Sequence, residues 1–334
     1  MVALMQFGLL DYKLVRGQFN IGDYVQSLAA SQYLPRVDHY INREELDCYA
    51  GPAAKIIMNG WFMHHPECWP PASHLETLFV SFHMNRPYIK KMMTPQAVEY
   101  FKARGPIGCR DYHTAEVLND FGVDAYYSCC LTTTLSKDNF GSLERKRKIL
   151  MVDVLHAVPD MADYFGMPYR YIASHVKSGN IIRSMRKSRN QNRILKALNS
   201  YEGYEIQWFE NAICGVGLSS GQRFEMARQY LSLIAESSLV LTSRIHCALP
   251  CLALGVPVVF VKYGQSSSSN TLRFRGIIDH MNVIDLDGDM AKLGYKSQEV
   301  DVNDIVFGKD IRNPNTHVKY AEELKNKCEA FVNG

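Results

Sequence analysis

Apolar residues fall along this chain in short runs, separated by polar turns and by longer stretches with helical spacing. The run Leu4–Leu10 reads as a strand. The polar turn Asn20-Ile21-Gly22-Asp23 follows, and then a helix whose apolar stripe is Val25, Leu28, Ala29 and Tyr33, ending before Pro35. Lys55–Met58 predicts a second strand, capped by Asn59-Gly60, and Leu78–Phe82 a third. Pro95–Ala103 has helical spacing, Pro106–Arg110 leads into a strand end, and Thr114–Phe121 predicts a helix stopped by Gly122.

Between Asp138 and Lys148 the chain turns polar and then fully charged, after which the apolar run Ile149–Leu155 starts afresh. The second half repeats the alternation. Strands are predicted at Ile149–Leu155, Tyr171–Ala173, Glu205–Phe209, Ser238–Leu241 and Val258–Val261, and helices at Ile181–Leu198, Gly221–Glu236 and from His246. Gly255 and Pro257 turn the last β-α-β unit, and Thr316–Val332 predicts a final helix. The expectation is an α/β protein with two Rossmann-like doubly wound domains facing across a cleft. Residues 1–145 form the first, 146–315 the second, and 316–334 the closing helix.

Composition narrows the function classes. Of 334 residues, 47% are hydrophobic, enough for real cores and too many for a disordered chain. Lys plus Arg is 37 against 34 Asp plus Glu, a net charge of +3, so a general polyanion binder is not expected and nucleic acid is not a partner. Nine cysteines with no Cys-x-x-Cys pair suggest neither a disulfide framework nor a zinc site. The N-terminus lacks a basic leader. The most apolar stretch, Leu239–Val261, contains Arg244, His246 and two prolines, which argues against a spanning helix. A cytoplasmic protein is expected, with contact to the inner face of the membrane left open. Oligomeric state is not legible.

The chemistry concentrates at predicted strand ends. The strand at Leu239–Leu241 runs directly into Thr242, Ser243, Arg244 and His246. Ligands of open α/β sheets sit outside the carboxyl ends of the strands, and the next helix points its free N–H groups there. Arg244 offers a planar donor fork for a carboxylate or phosphate, and His246 can give or take a proton near neutral pH. In the first half, Asn20, Gly22 and Asp23 form a turn that can orient a polar ligand or simply cap the helix. Neither a Gly-x-Gly-x-x-Gly nor a P-loop pattern accompanies it. Asn59 and Trp61 belong to an aromatic, proline-stiffened loop suited to a sugar face. His64-His65 is a poor metal pair. His83 and Arg110-Asp111 lie at further strand ends, and His156 and His175 could reach the cleft from the second half.

Three other features lie apart from these strand ends. Arg183, Arg186, Lys187, Arg189, Arg193 and Lys196 form a basic stretch, read either as a solvated face or as a surface for a phosphate-bearing acceptor or an anionic membrane. Ser266–Ser269 reads as a flexible loop that could close over the cleft. Asp285-Leu-Asp-Gly-Asp289 begins like a calcium loop but lacks its spacing and final glutamate, and is read as a turn. No metal site is expected.

Thr242-Ser243-Arg244-Ile245-His246-Cys247, followed by Ala253-Leu-Gly-Val-Pro-Val258, resembles the Ser-Arg-Leu-His-Gly stretch and later Gly-x-Pro of the polysaccharide pyruvyl transferase family. Asn20-Ile-Gly-Asp23 is similar to that family's opening turn, and Arg110-Asp111, Thr114 and Leu118–Gly122 to its middle motif. The resemblance spans about residues 4 to 262. Ile245 stands for the usual leucine, and Cys247 for a common glycine, which narrows the space beside the ligand.

The resemblance implies a glycosyltransferase B-like architecture and transfer of a pyruvyl group from phosphoenolpyruvate to two hydroxyls of a sugar, free or lipid-linked, with release of phosphate. It implies no cofactor beyond that co-substrate. The sugar would lie on the N-terminal side, near Asn20, Gly22, Asp23, Asn59, Trp61, His83 and Arg110. The donor would lie on the C-terminal side, near Thr242, Ser243, Arg244, His156 and His175, with His246 and Arg244 as the catalytic residues and His246 as general acid or base. A nucleotide-sugar-dependent glycosyltransferase of the same fold and a non-catalytic glycan-binding protein are the competing readings.

Overall fold

A computed structural model describes residues 5–141, 144–306 and 311–334. Leu4, at the start of the first predicted strand, and Asp310, before the last predicted turn, lie outside the described residues. The strands are β1 (Gln6–Asp11), β2 (Gln18–Asn20), β3 (His39–Asn42), β4 (Ala54–Phe62), β5 (Leu75–Met84), β6 (Ile107–Cys109) and β7 (Ala125–Tyr127) in the first half. In the second they are β8 (Lys146–Val152), β9 (Glu205–Phe209), β10 (Ala212–Cys214), β11 (Ser237–Thr242), β12 (Val258–Lys262), β13 (Asn282–Asp285) and β14 (Gln298–Glu299).

Two six-stranded sheets result, ordered β3-β1-β4-β5-β6-β7 and β14-β13-β12-β11-β8-β9. Every pairing within them is parallel. The strands that read as unbroken apolar runs are buried on both faces, as parallel sheets between helices require. Period-two alternation decides which face each residue serves. In the second sheet Leu150, Val152, Val240, Val258 and Phe260 join the large core that extends through the first half. Their neighbours Ile149, Met151, Leu239, Leu241, Val259 and Val261 build a smaller core with Ile194 and Leu198.

The two sheets are tied in three ways. β2 and β10 pair antiparallel, with Asn20 opposite Ala212, and Ile21 N–H donates to the Asn211 carbonyl at 2.9 Å. Helix Ile21–Ser31 packs on helices Ser220–Ala235 and Ile245–Leu254. The closing helix, Val318–Asn333, returns to the first half, where Lys55 Nζ donates to the Phe331 carbonyl at 2.8 Å and Cys328 is buried.

Several expectations are corrected. Tyr171–Ala173 is not a strand but part of helix Tyr169–Lys177, so His175 does not close a strand. A three-residue apolar run fits either structure, and here only Ile172 is part-buried while Tyr171 and Ala173 are exposed. The strand containing Lys55–Met58 continues through Asn59 and Gly60 to Phe62. Ser266–Ser269 is not one loop, because the Ser267 hydroxyl accepts the Asn270 N–H and starts helix Ser268–Phe274. No described helix is long and apolar enough to cross a membrane.

Candidate active site

In the first sheet the strand order reverses between β1 and β4, the crevice position at which open α/β sheets bind ligands. A cavity of about 910 Å³ opens there. Tyr12 follows β1, Arg43 and Glu44 follow β3, Trp61 ends β4, Asn85 follows β5 and Arg110 follows β6, and all line it. Asn20 enters as the N-cap of helix Ile21–Ser31, and Asp23 from the first turn of that helix. His246 and Arg273 enter from the second half.

Arg110 is the anomaly. It is fully buried, yet Nε, Nη1 and Nη2 all lack a hydrogen-bond partner among the described residues. Its backbone N–H is fixed to the Phe82 carbonyl at 2.9 Å. The adjacent carboxylate does not bond to it. Asp111 caps helix Tyr112–Asp120 by accepting the Thr114 N–H at 2.9 Å and lies 2.5 Å from His83 Nδ1. Burial pushes the Arg110 pKa down from its ordinary value, and burial with the Arg110 charge brings Arg273 to about 10. Arg273 Nε is also buried without a partner. Buried guanidinium nitrogens without partners are costly, so Arg110 and the Nε of Arg273 make this cavity a candidate anion site.

Arg43 is held differently. Its guanidinium lies between the rings of Tyr12 and Trp61, 4.7 and 4.8 Å from their centroids, and Nε donates to Glu44 at 2.9 Å. Glu44 also accepts the backbone N–H groups of His64 and His65. Asp23 is the remaining carboxylate of the wall, 3.8 Å from Arg43. Burial raises its pKa, against the pull of Arg43, His64, Arg110 and Arg273.

His246 sits at the first turn of helix Ile245–Leu254 with φ −81° and ψ 19°, out of helical geometry. Its Nε2 is buried and unpartnered. Burial, then Arg110 and Arg273, hold its pKa well below that of an ordinary histidine, so it is neutral near pH 7. Gly22 makes this placement possible, since a Cβ there would lie 3.0 Å from the His246 Cβ. Asn20 and Asp23 on one side and His246 on the other therefore line one cavity.

The other anticipated residues take supporting positions. Arg244 does not line the cavity; its Nε donates to Asp153 at 2.5 Å. Thr242 and Ser243 spend their hydroxyls on the carbonyls of Val152 and Val261, at 3.0 and 2.6 Å. Asn59 is buried behind the site and donates to the Gln26 carbonyl at 2.8 Å. His83 is buried against Asp111. His156 contacts the Asp153 carbonyl, while His175 faces Tyr164 away from the cavity. Sequence reasoning missed Arg43 and Arg273. Arg43 follows a strand end, the signal that found Arg110, but its strand was unrecognised; Arg273 carries no local signal.

The carboxylates Asp285, Asp287 and Asp289 could hold a cation by their spacing, but the Lys262 ammonium already occupies their centre.

Residues 20–265 match the family model described as polysaccharide pyruvyl transferase, and the chain belongs to that family. No curated protein and no solved structure matches it significantly. The family is one of transferases acting in polysaccharide biosynthesis by pyruvyl transfer.

Proposed function

We propose that the protein transfers the pyruvyl group of phosphoenolpyruvate to a sugar hydroxyl pair of a polysaccharide or its lipid-linked precursor. The product is a pyruvate ketal, and phosphate is released. In this reading the two halves, 1–145 and 146–315, are Rossmann-like domains in a glycosyltransferase B-like arrangement, closed by helix 316–334. The observation that carries the proposal is Arg110, buried with its whole guanidinium unpartnered beside the unpartnered Nε2 of His246. A small trianion would satisfy Arg110 and Arg273 together, through charge-assisted hydrogen bonds to its carboxylate and phosphate. The aromatic wall at Trp61 and Tyr12 leaves a place for a sugar face on the N-terminal side.

Two titratable groups have pKa values pushed away from ordinary in opposite directions, which suits acid and base roles. Neutral His246 takes the proton of the attacking hydroxyl as its oxygen bonds to C2 of phosphoenolpyruvate. Asp23, its pKa raised, delivers a proton to C3. The C2–O bond to phosphate then breaks with both electrons leaving on the phosphate, which Arg110 and Arg273 stabilise. The second hydroxyl adds to C2 and gives its proton to the Asp23 carboxylate left by the first step, closing the ketal, while the proton on His246 passes to the departing phosphate. Arg244 acts as a positioning residue, its bond to Asp153 fixing the turn that presents His246.

The test is phosphate release from phosphoenolpyruvate with a panel of free and lipid-linked glycans, for wild type, Arg110→Met and His246→Ala. Calorimetric binding of phosphoenolpyruvate is measured beside it. Absence of both binding and release in the wild type overturns the proposal.

A further inference from the structure

The basic stretch noted in the sequence belongs to a hairpin that the site does not use. Between Tyr164 and Tyr201 the chain carries eight lysines and arginines and no aspartate or glutamate. Helix Tyr169–Lys177 has no buried residue, and it packs on helix Asn180–Leu198. Tyr164 joins the pair, its hydroxyl 3.0 Å from His175 Nδ1 and 3.1 Å from Ser184 Oγ. A cavity of about 560 Å³ lies along the second helix, lined by Arg183, Arg186, Arg189 and Arg193 together with Tyr263. Arg183 is committed to Asp287 at 3.2 Å. The guanidinium groups of Arg186, Arg189 and Arg193 form no ion pair among the described residues. Ile182, Arg186, Arg189 and Arg193 recur at helical spacing and so share one face.

Exposed apolar groups accompany this charge. Phe165 is 96% exposed and Tyr169 84%. Val176, Ile182 and Met185 are each more than half exposed. Arginines grouped around a cavity with bare aromatic and aliphatic side chains on the same hairpin match an anionic bilayer surface. Lipid phosphates meet the guanidinium groups, and the apolar side chains enter the headgroup boundary. Ile182 lines the cavity beside these arginines, so apolar and basic groups share that face.

We infer that the hairpin Met161–Leu198 docks the protein on an anionic lipid bilayer, with lipid phosphates received by Arg186, Arg189 and Arg193. This does not depend on the reaction proposed above, because binding to vesicles is read without turnover.

The experiment is co-sedimentation of the full chain with phosphatidylcholine vesicles and with mixed phosphatidylcholine–phosphatidylglycerol vesicles. Binding is expected to the mixed vesicles only and to weaken as sodium chloride is raised. The double variant Arg186→Glu, Arg189→Glu should lower partitioning by about tenfold or more, and Phe165→Ser should lower it less. Arg186→Lys with Arg189→Lys should retain it, since the charge remains. Thermal melts that match wild type establish that these surface variants fold. Equal binding to both vesicle types, no binding to either, or unchanged binding by the Glu variant overturns the inference. So does loss of binding in inorganic phosphate at an ionic strength where chloride leaves it intact, which would make the cavity a free-phosphate site.

Discussion

A Cβ built on Gly22 falls 3.0 Å from the Cβ of His246 and 3.5 Å from its Nδ1. Helix Ile21–Ser31 and the turn after β11 meet here with less room than a side-chain carbon ordinarily takes. Gly22 serves this close approach rather than an unusual backbone angle, being in the first turn of a regular helix. Gly22→Ala is expected to push the imidazole off its position and lower kcat at least about tenfold. The overpacking should cost about 1–3 kcal/mol of stability. Steady-state kinetics and urea unfolding check both. An unchanged kcat would mean that His246 tolerates the shift and is not the proton acceptor.

Arg110→Met should separate stability from function in opposite directions. The wild type buries a charge whose nitrogens lack partners, at a cost in the unliganded state. The methionine variant is expected to melt higher without ligand, by about 1 kcal/mol or more in stability. Its affinity for phosphoenolpyruvate should fall at least about tenfold, as charge-assisted hydrogen bonds are lost. Scanning calorimetry and titration calorimetry read the two effects. Lower stability of the unliganded variant would mean that Arg110 is satisfied in the resting protein.

These relationships divide what is legible in the sequence from what is not. The runs at Ile149–Val152, Leu239–Leu241 and Val258–Val261 announce strands because both faces of a parallel sheet are buried. The edge strand β3, His39–Asn42, buries only Ile41 and carries no such pattern, so Arg43 at its end was hidden. Tyr171–Ala173 has strand-like side chains but belongs to a surface helix, whose 3.6-residue pattern shows only over the whole of Tyr169–Lys177 and not over three residues. The polar turn opening the first helix found Asp23, and the strand-end rule found Arg110 and His246. It also selected Arg244, since it cannot see Asp153, which shares that turn only after β8 and β11 pair. Arg273 reaches the cavity through the packing of helix Ser268–Phe274, a tertiary fact with no local signature.

Lys262 is fully buried among Asp285, Asp287 and Asp289. Burial alone would depress its pKa, but bonds and charges from Asp289, Asp287 and Asp285 outweigh that and raise it. Lys262→Ala leaves three carboxylates around a void and should destabilise the protein by about 3–5 kcal/mol. Calcium should then raise the melting temperature of the variant and leave that of wild type unchanged, because the carboxylate oxygens lie within 4.8 Å of one another. A variant that melts like wild type would show that the cluster contributes no net stability.

Acid should weaken the fold in a window set by buried histidines. Burial, then the Arg110 charge, takes His83 from 6.5 to about 4, and burial takes His280 over the same interval. Above pH 6.5 these imidazoles are neutral whether the chain is folded or not. Between 6.5 and 4 the unfolded chain binds protons that the folded one refuses, so stability falls as pH falls. Each group contributes a slope of at most about 1.4 kcal/mol per pH unit. Asp111 acts separately, because its pKa is lowered from 3.8 and its contribution is lost only below that value. His83→Gln should therefore start less stable at pH 7, having lost the bond to Asp111, and decline less steeply between pH 6.5 and 4. Urea midpoints measured across that range decide the matter, and a variant slope equal to wild type would mean that His83 takes up its proton as readily folded as unfolded.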